Sequence, residues 1–276
     1  MSDLQTIYKK SLYSGTAGAS AMAIQVSSLM WLRTTMNYQY KNGGTFPAAF
    51  SQIYKQGGLV RFYRGYIPAL MIGPISRFGD TAMNEASLFI FAKYYPEAPI
   101  FLQTAGASVM AGIWRLGTVP IDTWKTSKQV HGKDGLKIVM DKVRSNGVPA
   151  LYQGALASSF ATMVGHYPWF VTYNYMNSYL PNISYKEDAL KALGRNALIG
   201  FCASAISDTT SNSIRVIKTV KQTNAIQIGY MEALQQVIKK DGWRGLMFRG
   251  LETKLLTNGV QGIIFSVVWK FLRDYD

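Results

Sequence analysis

The sequence predicts an all-α membrane protein built from three tandem repeats. The first observation behind this is internal recurrence: Arg33, Lys125 and Lys218 lie roughly 90 residues apart, a domain-scale period. Each base follows a largely apolar run and precedes a loop, a short amphipathic stretch and an aromatic-x-Gly tripeptide. Those tripeptides are Tyr63-Arg64-Gly65, Tyr152-Gln153-Gly154 and Phe248-Arg249-Gly250, with Gly57, Gly147 and Gly242 a few residues before them. The second observation is that Leu12 to Leu32 and Val148 to Tyr185 carry no Asp, Glu, Lys or Arg, and each is long enough to span a bilayer. The third is composition: 48% of the 276 residues are hydrophobic and 16% charged, against a usual charged fraction of about a quarter. Mean hydropathy is near zero, as expected if every helix keeps one face on water.

Taken in order, the first helix is expected from about Tyr8 to Met36, with Gly15, Ala17, Gly18, Ala19, Ala21 and Ala23 forming a face of low bulk. Such faces let membrane helices approach closely. Phe46 to Gln56 reads as a short amphipathic helix that tolerates Pro47 in its first turn. The second long helix, about Tyr66 to Lys93, carries Arg77, Asp80 and Glu85. Charges at membrane depth are costly and turn toward water or each other; Arg77 and Asp80, at i and i+3, either neutralise one another or meet a substrate. The third helix repeats the small-residue face with Gly106, Ala107, Ala111 and Gly112, and carries Arg115 five residues before Pro120. Proline removes a backbone hydrogen bond and bends the helix, while Asp122 and Lys125, three apart, share a face.

The fourth helix contains Thr162 and Gly165-His166-Tyr167-Pro168-Trp169, then Tyr173-Asn174-Tyr175-Met176-Asn177. His166, with no acid nearby in sequence, reads as a hydrogen-bonded interior histidine. The fifth helix, about Ala189 to Val220, has Asp208 five residues before Ser213, the place that Arg115 holds in the middle repeat. The two should therefore lie at one depth on neighbouring helices, either paired or parted by water. The sixth, about Leu251 to Arg273, has Asn258 in its interior.

The recurring stretches are Pro120-Ile121-Asp122-Thr123-Trp124-Lys125, its echoes Ser28 to Arg33 and Ser213 to Lys218, and the three aromatic-x-Gly tripeptides. On these the chain resembles the mitochondrial carrier family across essentially its whole length. The middle repeat matches the Pro-x-acid-x-x-base motif in full. The outer two depart from it, with Ser28 and Met30, and with Ser213 and Arg215. In the aromatic-base-Gly motif the middle repeat departs, at Gln153.

The resemblance implies a pseudo-threefold six-helix bundle, each repeat being two transmembrane helices joined by a short matrix helix. One domain would cover 1–276, with repeats of approximately 1–98, 99–185 and 186–276. It implies the mitochondrial inner membrane as location, multi-pass. It also implies a matrix gate at Met30, Asp122 and Arg215 facing Arg33, Lys125 and Lys218. The opposite gate would be Glu85, Asn174 and Lys270 facing Leu88, Asn177 and Arg273. Only Asp122 and Glu85 are acids, so a closed matrix ring would gather four cations around one carboxylate. Like charges in contact repel by a few kcal/mol even at an effective dielectric near ~20. Two readings follow. One is a transporter of a small anionic or polar metabolite with weakened gates, its cavity drawn from Arg77, Asp80, Arg115, Thr162, His166, Asp208 and Asn258. The other is a non-transporting structural subunit of a large inner-membrane complex such as a respiratory-chain assembly.

A formal charge of +14 raises nucleic acid, but the bases do not form one patch. Many fall in three groups, around Lys41 to Arg61, Lys125 to Arg144 and Lys218 to Arg244, each between an odd and an even apolar segment. That is the distribution of membrane topology and attraction to anionic lipid. Helix N-termini attract anions, so lipid, cardiolipin in a mitochondrion, is expected near Gly65, Gly154 and Gly250, which begin the even helices. The one cysteine, Cys202, excludes an intrachain disulfide or cysteine metal cluster. No nucleophile–base pair, phosphate loop or metal motif is readable, so neither enzyme chemistry, cofactor nor metal is expected. The N-terminus has neither a secretory signal nor an Arg-rich presequence.

Overall fold

A computed structural model describes residues 23–183 and 188–273, and every regular element in it is helical. Helix α1 occupies 23–42, six residues beyond its expected end; the small-residue face expected for residues 15–21 lies outside the described residues. A turn leads to α2 (Phe46–Lys55), where Pro47 sits in the first turn and forfeits no intrahelical bond. The short α3 (Gly58–Phe62) follows, then α4 (Tyr66–Tyr94). The middle repeat gives α5 (Ile100–His131), α6 (Gly135–Asn146), a 3-10 turn (Val148–Tyr152) and α7 (Ala155–Tyr179). Helix α5 contains Pro120 and continues to His131. The last repeat gives α8 (Ala189–Thr223), α9 (Tyr230–Phe248, kinked at Gly242) and α10 (Leu251–Arg273).

The long helices close into a ring. α4 packs on α5, α5 on α7, α7 on α8, and α8 on α10. α1 joins α4 through Val26, Met30 and Ala69, and joins α10 where buried Thr253 donates to Gln39. A second ring runs beneath. Arg61 of α3 donates to the Gln129 and Val130 carbonyls (2.9 and 2.8 Å) at the end of α5. Lys142 of α6 donates to the Gln222 carbonyl (2.9 Å) at the end of α8. Arg249, which follows α9, points at the Tyr40 and Lys41 carbonyls (3.5 and 3.4 Å) at the end of α1. Each short helix thus caps the long helix of the next repeat, the third returning to the first. A cation is the favoured partner there, because the last carbonyls of a helix lack intrahelical donors and carry its negative dipole end.

The three glycines of the tripeptides make these junctions possible. Gly65, Gly154 and Gly250 all have φ between +65° and +89°. A methyl group on them would come within 2.9 Å of the Lys125 carbonyl, 3.2 Å of the Lys218 carbonyl and 3.1 Å of the Met36 carbonyl, respectively. Only a residue without Cβ allows that backbone approach.

The outside of the ring is apolar: Phe78, Phe89, Ile113, Leu156, Phe160 and Ile263 are all exposed. Among the described residues no helix is long and apolar enough to cross a membrane. The charge-free run expected to span from Val148 is divided by the 3-10 turn and Gly154 before α7 begins. The inner faces account for the low hydropathy; α8 alone buries Ser207, Asp208, Ser211, Asn212 and Thr219. Nor are all the clustered bases available to lipid: Arg61 and Lys142 are each only 4% exposed and serve as the caps just described.

Candidate functional site

The helices enclose a cavity of about 740 Å³, lined by α1, α5 and α8 and by α4, α7 and α10. Its floor lies at the recurring motif. There Asp122, buried, accepts hydrogen bonds from Lys125 (2.6 Å) one turn along α5 and from Lys218 across on α8. This ion pair ties α5 to α8. An amide pair ties α1 to α5, Asn37 donating to Gln129 at 2.6 Å, both buried. An apolar contact ties α8 to α1, with Tyr40 in one buried cluster with Val216 and Val220. The three seams are thus ionic, amide and apolar. Met30, at the expected acid position of α1, is fully buried beside Ala69 and takes a long contact from Gln129. Arg33 lines the cavity with Lys125 and Lys218.

The expected gathering of four cations on Asp122 is altered at Arg215. Asp122 takes Lys125 and Lys218, while Arg215 turns back to Asp208, seven residues earlier on α8, at 3.7 Å. Seven residues are nearly two turns, which puts both side chains on one helix face. Asp208 also accepts from Asn258 (2.6 Å) and lies 4.0 Å from Lys254, both on α10. The second carboxylate at this end is therefore supplied from five residues before the motif instead of at its acid position, and Coulomb attraction replaces the predicted repulsion for Arg215.

The same geometry bears on the alternatives left open for Arg115 and Asp80. Arg115 and Asp208 are not partners. Arg115 reaches α4, donating to Ser76 (2.9 Å) and pairing with Asp80 at 3.5 Å, whereas Asp208 faces α10. Asp80 is thus drawn to Arg115; the side chain of Arg77 lies outside the described residues. Of the expected cavity residues, Asp80, Arg115, Thr162 and His166 are on the lining. Asp208 and Asn258 instead tie α8 to α10. His166 accepts or donates at Ser108 (3.4 Å) and meets the Phe170 ring edge-on.

Toward the other end Asn174 and Asn177 are exposed, and the Asn177 carbonyl accepts from Arg195 at 2.8 Å. The side chains of Glu85, Leu88, Lys270 and Arg273 lie outside the described residues. Sequence reasoning missed Lys254, the Asn37–Gln129 pair and the capping role of Lys142. Lys254 is four residues before Asn258, so i,i+4 spacing places both on one helix face, a signal that was available. Lys142 stands in for the base absent at Gln153: its Nζ lies 3.4 Å from the Gln153 amide oxygen and reaches the neighbouring helix itself. Burial, with Lys41 and Lys221 nearby, lowers its pKa to about 8.

Comparison with known proteins adds the following. The family model described as mitochondrial carrier protein matches residues 4–94, 97–184 and 191–275. Among curated proteins, the mitochondrial thiamine diphosphate carrier 2 of Zea mays is 24% identical over 82% of this chain and 77% of its own length. The mitochondrial carrier protein CoAc2 of Zea mays is 24% identical over 78% and 70%. The chloroplastic nicotinamide adenine dinucleotide transporter 1 of Arabidopsis thaliana is 26% identical over 55% and 53%.

Proposed function

The chain belongs to the mitochondrial carrier family, and from this premise and the cavity we propose that it moves a small phosphate-bearing metabolite across the mitochondrial inner membrane. The observation that carries the reading is the charge of the lining. Among the described residues, Arg33, Arg115, Lys125, Arg215, Lys218 and Lys254 line the cavity together with Asp80 and Asp122, and Asp208, beside the lining, takes Arg215 and Lys254. Ion pairs use part of that charge, and the surplus is held in a site of restricted water, where an anion is attracted far more strongly than in bulk. The cavity volume is that of a site for one small molecule. The names of two relatives, thiamine diphosphate and nicotinamide adenine dinucleotide, denote phosphate-bearing compounds.

In this reading the six long helices are tilted transmembrane elements, and their exposed apolar side chains face lipid. The seams at Asp122, Gln129 and Tyr40 form the gate on the matrix side, and Glu85, Asn174, Asn177, Lys270 and Arg273 form the opposite one. A phosphate entering the cavity competes with Asp122 for Lys125 and Lys218, which loosens the α5–α8 seam as the substrate binds. That coupling is what alternating access requires: the ligand must interact differently with the two states. Anionic lipid is proposed at the N-termini of α4, α7 and α10, whose leading amides attract phosphate.

Uptake into liposomes containing the purified protein tests the function. Thiamine diphosphate, adenosine diphosphate, nicotinamide adenine dinucleotide and coenzyme A are offered with and without internal counter-substrate. Saturable uptake of at least one, lost in Lys218→Ala, is expected. Absence of uptake of all four by folded, inserted protein refutes the proposal.

A further inference from the structure

The wall of the cavity between α8 and α10 is layered in charge. Behind it lies Asp208, whose side chain is 9% exposed. In front, on the lining, lie Arg215 and Lys254, at 33% and 24%. The carboxylate is fixed by a neutral neighbour, since Asn258 donates to its Oδ2 at 2.6 Å. The two cations stand off from it at 3.7 and 4.0 Å, beyond the reach of a hydrogen bond. Arg215 uses its Nε on Ser211 (3.1 Å). Among the described residues, its two terminal nitrogens and the Lys254 Nζ have no hydrogen-bond acceptor. Asp122 presents the contrast, because Lys125 donates to it directly at 2.6 Å.

Attraction without a hydrogen bond leaves a cation's donors to whatever else approaches. Guanidinium and ammonium groups each carry several N–H donors, so an anion on the cavity side can take charge-assisted bonds from both residues at once. It does so against Asp208. An anion touching the front of the two cations stands ~7 Å from the carboxylate behind them. At an effective dielectric of ~20 that repulsion lowers its affinity by more than about tenfold. Asp208 is also outnumbered, because Lys254 lies within electrostatic reach of Arg33 and Lys125 as well as of Arg215. The wall is separate from Asp122 but close to it: Arg215 is three residues before Lys218, a rise of about 4.5 Å along α8. Passage through a membrane protein requires binding weak enough for the cargo to leave, and a fixed rival for the binding cations provides that.

We propose that Arg215 and Lys254 form an anion subsite on this wall, and that Asp208 is its resident counter-ion, which sets how tightly the subsite holds an anion. Asp208 itself touches no ligand; it is a positioning residue that acts through the two cations. This rests on the anion reading of the cavity given above and names the residue that limits affinity there.

Equilibrium dialysis of the purified protein in detergent against radiolabelled inorganic diphosphate, at pH 7 and fixed ionic strength, is the test. Asp208→Asn should bind diphosphate about tenfold more tightly than the unaltered protein, even though the same change weakens the fold. Asp208→Glu should return the affinity toward the unaltered value. Lys254→Met should cost affinity in the unaltered protein and cost more in Asp208→Asn, where no carboxylate competes for the lysine. Equal costs in the two backgrounds would mark a general change of cavity charge and overturn the subsite. Unchanged or weaker binding by folded Asp208→Asn overturns it too and leaves the anion floor standing. Where Asp208→Asn does not fold, Arg215→Gln and Lys254→Met decide: a loss of about threefold or more in each supports the subsite, and unchanged affinity in both overturns it. If the unaltered protein binds no diphosphate, the anion reading fails and the subsite with it.

Discussion

Replacing Asp122 by asparagine removes the one carboxylate that joins α5 to α8 at the cavity floor and leaves Lys125 and Lys218 facing each other across a neutral amide. Removing one partner from a buried ion pair costs about 3–5 kcal/mol, because the surviving charge stays desolvated. Here the lysines are 21% and 18% exposed to the cavity and Asp122 8%, so cavity water relieves part of the loss and the lower end, about 3 kcal/mol, applies. For a chain of this size each kcal/mol moves Tm by about 2–4 °C, so a fall of about 6–12 °C is expected. Differential scanning fluorimetry of the purified protein in detergent measures it. Asp141→Asn is the internal control: its pair with Arg144 is 3.8 Å long, with side chains 52% and 78% exposed, and such pairs contribute under about 1 kcal/mol. A Tm for Asp122→Asn within the scatter of that control would refute the buried α5–α8 tie.

Asp208→Asn should also destabilise, but less, by about 2 kcal/mol, because its cationic partners stand at 3.7 and 4.0 Å; a loss exceeding that of Asp122→Asn would reverse the ranking of the two carboxylates. Lys142 has its pKa lowered to about 8 by burial, so its charged form opposes folding below that value. Between about pH 8 and the ordinary lysine value near ~10.4 the folded chain has shed a proton that the unfolded chain keeps, and stability rises with pH. Melting curves of the unaltered protein against Lys142→Met from pH 7 to pH 9.5 should show the steeper rise in the former; Lys41, lowered to about 8 in the same way, leaves a smaller rise in the variant. Gly65→Ala places a methyl 2.9 Å from the Lys125 carbonyl, whereas at Gly44, with the same φ of +89°, nothing lies within 4 Å. The Gly65 variant should therefore lose more stability than Gly44→Ala, by about 1–3 kcal/mol of overpacking; equal losses would mean that backbone conformation alone matters at Gly65.

The sequence by itself determined the features that depend on local geometry. The period of the motif and the tripeptides announced three repeats. Phe46-Pro47 and Gly65-Tyr66 marked where α2 and α4 begin, and the i,i+3 spacing placed Asp122 and Lys125 on one face, where the structure has them at 2.6 Å. Such features are legible because rise and turn per residue are fixed by the backbone, whatever surrounds it. The partners between helices were decided only by tertiary structure. Equivalent positions in the repeats suggested Arg115 opposite Asp208; the rotation of each helix in the ring gave Arg115 to Asp80 and Asp208 to Lys254 and Asn258. Likewise Gln153 read as a lost base, yet Lys142, eleven residues earlier, reaches the carbonyl of the neighbouring helix in its stead. A charge can be satisfied by any partner that packing brings within a few ångströms, so its need for one is written in the chain, while the identity of that partner depends on how the helices are turned against one another.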